Sequence, residues 1–122
     1  MNHSNPSTQA VSLLNLSVTV QQDTPKGTWV SAKGELITAN QAPIGVTQND
    51  AKKGTMVAVT AVGTASMNLA GIASGAVKQG QLIILDGTIQ VSNPSGYAMN
   101  ARVIGVVLYD AHQSGHAEVL IC

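Results

Sequence analysis

Phenylalanine is missing from this chain altogether, and its aromatic residues are Trp29, Tyr97 and Tyr109. Surfaces that stack sugars or single-stranded bases are built from such rings, so those roles have little to work with. Charge is scarce too: charged residues make up 10% of the sequence, against about 25% in an average domain, and six acidic side chains balance six basic ones. No field of one sign draws in nucleic acid, an anionic membrane surface or an acidic substrate. Cysteine occurs once, as Cys122, which excludes an intrachain disulfide and a multi-thiolate zinc site and lets the chain fold in a reducing cytosol. No apolar run approaches the ~20 residues needed to span a bilayer. The start, Met1-Asn2-His3-Ser4-Asn5-Pro6-Ser7, has neither a basic stretch nor an apolar signal core. Neither a membrane protein nor one secreted by that route is expected.

What remains is 122 residues, enough for one domain that buries roughly two-thirds of the surface its unfolded chain would expose. With so few charges, the surface must be made of Ser, Thr, Asn, Gln, Gly and Ala with aliphatic side chains among them. Such a surface is poorly protected against association. It suits a protein packed against copies of itself or a larger partner, the alternative being a neutral monomer.

The chain carries an internal duplication. Ile44-Gly45-Val46-Thr47-Gln48-Asn49-Asp50-Ala51 returns sixty positions later as Ile104-Gly105-Val106-Val107-Leu108-Tyr109-Asp110-Ala111, sharing the pattern I-G-V-x-x-x-D-A. Each copy leads into a polar turn with a glycine, Lys52-Lys53-Gly54 or His112-Gln113-Ser114-Gly115, and then an alternating run from Thr55 or His116. Gly34-Glu35-Leu36-Ile37 and Gly80-Gln81-Leu82-Ile83 precede the copies with spacers of different length. Each copy reads as strand, turn, strand, and duplication points to architecture before chemistry.

Along the chain, residues 1–10 are a polar tail expected to be mobile. From Val11 the pattern turns apolar, through Leu13, Leu14, Leu16, Val18 and Val20, the last three alternating with polar residues as in a strand. This arm stands outside the duplicated units. It is either a further part of the core or an edge strand offered to a neighbour. Gln21 to Gly27 is a loop by its turn chemistry. Trp29–Ala32 and Glu35–Thr38 read as a hairpin around Lys33-Gly34. Met56 to Val62, apolar at nearly every position, reads as a strand covered on both sides or at a subunit contact. The stretch Met67 to Val77 is expected to be extended chain and turns with at most one short helix, because Gly71 and Gly75 each cost about 1 kcal/mol in a helix. Asp86-Gly87 is the strongest two-residue hairpin signal. Short strands punctuated by glycine predict an all-β fold, a small Gly-rich barrel or sandwich built from two similar hairpin units. The expected division is a tail and strand-forming arm over 1–27 and a β-barrel domain over 28–122.

Candidate chemistry is thin. Asp50 and Asp110 recur at equivalent positions and invite comparison with a paired-carboxylate site. Each ends a strand before a turn, where an Asp side chain accepts backbone hydrogen bonds, so both are expected to fix turns. Gly54, Asp86, Gly87 and Gly115 are also expected to be structural turn residues, the glycines through their backbone freedom. His112 and His116 have helical ligand spacing but lie around a turn, which leaves them as solvated histidines. Ser74 and Ser114 lack the context of a nucleophile elbow, no Gly-Lys-Ser/Thr follows Gly71-x-x-x-Gly75, and nothing places a base beside Cys122. Lys52-Lys53 reads as a solvated hairpin tip. No catalytic residue, cofactor or metal is expected.

Taken together, the sequence resembles the phage head decoration proteins, also called capsid cement proteins. The resemblance is carried by Ile44-Gly45-Val46 with Asp50-Ala51 and by Gly54-x-x-Val57-x-Val59-x-Ala61-Val62-Gly63. It continues through Gly75-Ala76-Val77-x-x-Gly80-Gln81-Leu82-Ile83, Asp86-Gly87-Thr88, and Ile104-Gly105-Val106 leading to Gly115 and Val119. It covers roughly residues 27–121. It implies a virion structural protein without enzyme activity, a homotrimer or dimer that sits on the capsid exterior at capsomer junctions and cements the major capsid proteins against internal DNA pressure. It implies synthesis in the host cytoplasm and an N-terminal arm that pairs with the capsid lattice, here Val11, Leu13, Leu14, Leu16, Val18 and Val20. Two other readings stand beside it. One is a carbohydrate-binding or adhesive virion module. The other is a small trimeric β-barrel enzyme, which should show Asp, Arg and Ser clustered in its loops, whereas Arg102 is the only Arg here.

Overall fold

Apolar residues alternating with Ser, Thr and Asn favour pleated, half-buried strands over helices, and no helix occurs among the described residues. The computed structural model describes residues 12–38, 41–70, 72, 77–86, 88–95, 101–110 and 115–121. The described residues form eight strands: β1 (Ser12–Thr19), β2 (Trp29–Ser31), β3 (Pro43–Thr47), β4 (Met56–Asn68), β5 (Leu82–Asp86), β6 (Thr88–Ser92), β7 (Arg102–Val107) and β8 (His116–Ile121). They form one antiparallel sheet in the order β2-β3-β4-β8-β7-β5-β6, with β1 also paired to β4. The sheet curls into a half-barrel, so the all-β expectation holds.

The duplication survives down to single hydrogen bonds. In the first unit Trp29 faces Val46 and Val30 faces Gly45; in the second Leu82 faces Val106 and Ile83 faces Gly105. A register shift follows at the same place in each, between Val30 and Ser31 and between Ile83 and Ile84. Val46↔Thr60 and Thr47↔Val59 in the first unit match Val106↔Leu120 and Val107↔Val119 in the second. Gly27 N–H donates to the Thr47 carbonyl at 2.9 Å and Gly80 N–H to the Val107 carbonyl at 2.8 Å. Both glycines hold positive φ, 83° and 89°, which few other residues adopt cheaply. The units are therefore β2-β3-β4 and β5-β7-β8, with β6 added as the return strand of a hairpin at Asp86↔Thr88. They meet along one seam, where β4 pairs β8 from Gly63↔Ile121 to Asn68↔His116.

The glycine of I-G-V has a steric reason. A Cβ on Gly45 would lie 2.2 Å from the Thr60 carbonyl oxygen, and one on Gly105 would lie 3.0 Å from that of Leu120. The neighbouring strand leaves no room for a side chain at Gly45 and only a tight fit at Gly105.

Two expectations need adjusting. Beyond Val62, β4 does not stop at Gly63 but runs on to Asn68. Gly63 adopts a φ of 122° where pairing on that edge passes from β1 to β8. The strand expected after Lys33-Gly34 touches its neighbour through one bridge, Val30↔Leu36, while β2 pairs mainly with β3.

The core has two parts. The larger draws on both units, including Trp29, Val46, Met67, Ile83, Val107 and Val119, all buried. Within it the Trp29 indole N–H donates to the Met67 sulfur at 3.2 Å. The smaller comprises Val18, Val20, Val30, Val57 and Val59. Each such valine contributes on the order of 1.5–3 kcal/mol by burial.

Candidate interaction surface

The repeated carboxylates act as backbone acceptors, but over long range. Asp50 Oδ1 accepts the Lys26 N–H at 2.8 Å and Asp110 Oδ1 accepts the Gln79 N–H at 2.7 Å. Each ties the end of its I-G-V strand to the loop entering the first strand of its unit. Asp23 Oδ1 accepts the Lys53 N–H at 2.9 Å in the same manner. Ion pairs at this periphery, Lys52–Asp23 at 4.0 Å and Lys78–Asp110 at 3.9 Å, are exposed and worth at most about 1 kcal/mol. Gly54 turns with a φ of 85° and donates its N–H to the Val20 carbonyl, and the Gly115 carbonyl accepts the Leu69 N–H.

The arm residues separate into two groups. Val18 and Val20 are buried in the smaller core, so they are committed to the protein's own body. The chain that follows is fastened by Val20 N–H to the Thr55 carbonyl, by Gln21 N–H to the Gly34 carbonyl and by a Thr24↔Ala51 bridge. Leu13, Leu14 and Leu16 are 74%, 48% and 40% exposed. Leu14 pairs across to Val62, itself exposed. Leu14, Leu16, Val18 and Val20 occupy alternate positions and therefore one face of the strand, of which the body covers only the second half. Neither β1 nor β4 contains a charged residue. Asn15 on β1, Thr60 on β4 and Gln48 just past β3 form a neutral hydrogen-bonded row, with Gln48 Nε2 donating to Asn15 Oδ1 at 2.6 Å and to Thr60 Oγ1 at 3.0 Å. Most charges sit in the turns at the periphery, the exceptions being Asp86, Arg102 and Glu118 on β5, β7 and β8, and the β1–β4 surface is left uncharged and partly apolar.

Glu118 escaped the reading of the sequence. It is 3% exposed, and among the described residues neither carboxylate oxygen has a hydrogen-bond partner. Burial pushes its carboxyl up from the ordinary 4.5 to about 7. The signal that finds it is the duplication itself, which aligns Glu118 with Ala58: the Gln48 N–H donates to the Ala58 carbonyl and the Leu108 N–H to the Glu118 carbonyl, both at 2.9 Å.

Among the described residues no group of three or more His, Cys, Asp or Glu side chains could hold a metal ion. His116 Nε2 lies 3.4 Å from the Lys26 carbonyl oxygen. Val11, Gly87, His112, Ser114 and Cys122 lie outside the described residues. A groove of about 440 Å³ runs past Trp29, Leu36, Ile37, Ile72 and Ile89. Trp29 itself is only 4% exposed, so among the described residues this groove offers no ring for a sugar to stack on.

No curated protein matches the chain. The family described as phage cement protein matches residues 10–122, which takes in β1 and both units. An all-β body with no group of metal-ligating side chains among the described residues is in keeping with that match, and the chain belongs to the phage cement protein family, with a structural role in the virion capsid.

Proposed function

We propose that this protein binds the capsid exterior at capsomer junctions as a homo-oligomer, most simply a trimer, and holds the head together without catalysing any reaction. The observation that carries the reading is the uncovered half of the β1 stripe, Leu14 and Leu16, with exposed Leu13 between Ser12 and Leu14 on the same strand, on a surface free of charge. A solitary leucine in water needs no explanation, but three on one edge strand beside exposed Val62 form a patch of the kind that marks a protein contact. The partner is the major capsid protein, and the working part of the arm ends at about Ser17, where burial in the body begins. Several copies touching several capsid subunits gain avidity from individually weak apolar contacts. Synthesis in the host cytoplasm belongs to the same reading, and the lone cysteine is compatible with it.

The test is to add the protein to undecorated heads and follow binding and head melting temperature. Leu13→Ser combined with Leu14→Ser and Leu16→Ser is expected to abolish the rise in head melting temperature while the isolated protein keeps its own unfolding transition. Undiminished head stabilisation by that variant would place the contact elsewhere. Light scattering that finds a strict monomer would remove the oligomer from the reading.

A further inference from the structure

Glu118 stands where the two units meet. The β4–β8 seam is the strand pairing that joins β2-β3-β4 to β8-β7-β5-β6, and Ser66↔Glu118 is one of its inner pairs. The duplicated scaffold provides an internal control, since Ala58 fills the equivalent position with the same backbone bond. The fold therefore does not need a carboxyl there. An ionised carboxylate in such a place lacks the donors that water would give it, and burial disfavours the charged form.

Among the described residues, the strands around Glu118 supply no cation. β4 has no titratable residue, and on β7 the sole one, Arg102, faces Leu85, away from the Val107↔Val119 end beside Glu118. On β8 itself His116 is exposed, two residues away, with its ring nitrogen near the Lys26 carbonyl. Past β7, Tyr109 is exposed, and Asp110 is engaged by Gln79 N–H and Lys78. β1, which abuts β8 along β4, has no titratable residue.

We propose that Glu118 makes the seam between the two units sensitive to protons: the seam accommodates the neutral acid, and ionisation of the carboxyl loosens the β4–β8 pairing. The elevated titration of this carboxyl is in keeping with that arrangement. The subunit is then tightest in mildly acidic solution and opens more readily at the seam in alkaline solution, with the outer strand pairs of each unit unaffected.

The experiment is amide hydrogen exchange on the intact chain at pH 5 and pH 8, corrected for intrinsic exchange, together with carboxyl-carbon NMR titration of Glu118. Opening at the seam, read on Thr64–Asn68 and β8, is expected to increase ~10-fold or more across that range, while the β5–β6 hairpin stays level. In Glu118→Gln the seam is expected to lose this rise. A seam rise that persists unchanged in Glu118→Gln overturns the proposal, as does no rise in the wild type. Should the variant not fold, the wild-type titration decides: an ordinary glutamate value overturns the proposal, and an elevated one tracking the seam exchange upholds it.

Discussion

The two units are close copies in backbone and unlike in what surrounds them. Both use a positive-φ glycine at the entrance, a register shift one residue into the closely paired stretch, a side-chain-free position under a neighbouring carbonyl, and an Asp reaching back to a loop N–H. The differences lie in the additions. The first unit has β1 laid along β4 and small Ala58, whereas the second has the β6 hairpin strand and Glu118. What recurs is therefore scaffold, and what does not recur is where function should be sought.

The sharpest test of this equivalence is steric. Gly45→Ala drives a methyl to within 2.2 Å of a backbone oxygen, and a loss of about 3 kcal/mol in urea unfolding is expected. Gly105→Ala meets its carbonyl at 3.0 Å and should cost about 1 kcal/mol. Equal losses would mean that the two close approaches are alike in solution.

Next in size is the seam carboxyl. Because its folded value of about 7 lies above 4.5, the folded chain keeps a proton that the unfolded chain has already released between those pH values. Stability should therefore fall as pH rises from about 4.5 to 7 and level off above. Glu118→Gln should remove that fall, leaving the variant on the order of 2 kcal/mol more stable than wild type at pH 8 and nearly equal at pH 4. The reciprocal change, Ala58→Glu, enters a half-buried site and should introduce a weaker dependence of the same sign.

Asp50→Ala and Asp110→Ala each remove one backbone acceptor bond, and losses of about 1 kcal/mol apiece are expected. Values differing by more than that would break the symmetry of the two units. The smallest effect belongs to Lys78→Ala, which deletes an exposed 3.9 Å ion pair and should shift stability by less than about 0.5 kcal/mol.

How much of this was legible in the sequence follows the range of the interactions. The alternation of β1 and β8 and the pairing of the strands on either side of Asp86-Gly87 are local patterns, and each appears where the sequence puts it, while the duplication is read by comparing two stretches of the chain. Asp50 was legible as an acceptor, but its donor lies 24 residues back at Lys26, a distance no turn rule spans. Gly63 reads as a strand end because glycine usually weakens strands, yet here it carries the strand through a change of neighbour that only the assembled sheet reveals. Val18 and Leu16 look alike in sequence, and only the position of Val30, Val57 and Val59 decides that one is core and the other surface. Glu118 was hidden because an acidic residue in an alternating run looks like the solvent face. Its partner across the seam, Ser66 on β4, is distant in the chain.

The end-to-end placement of β8 and β1 along one edge of β4 has a mechanical meaning. Its pairing partners run from Ser12↔Gly63 to Thr19↔Met56, and antiparallel ladder bonds lie perpendicular to the strands. A pull on Ser12 along the strand axis loads those bonds together in shear, whereas a pull away from the sheet peels them one after another. Val18 and Val20 act as the anchor at the far end. A protein gripped by its first strand thus resists tension in one direction and releases readily in another.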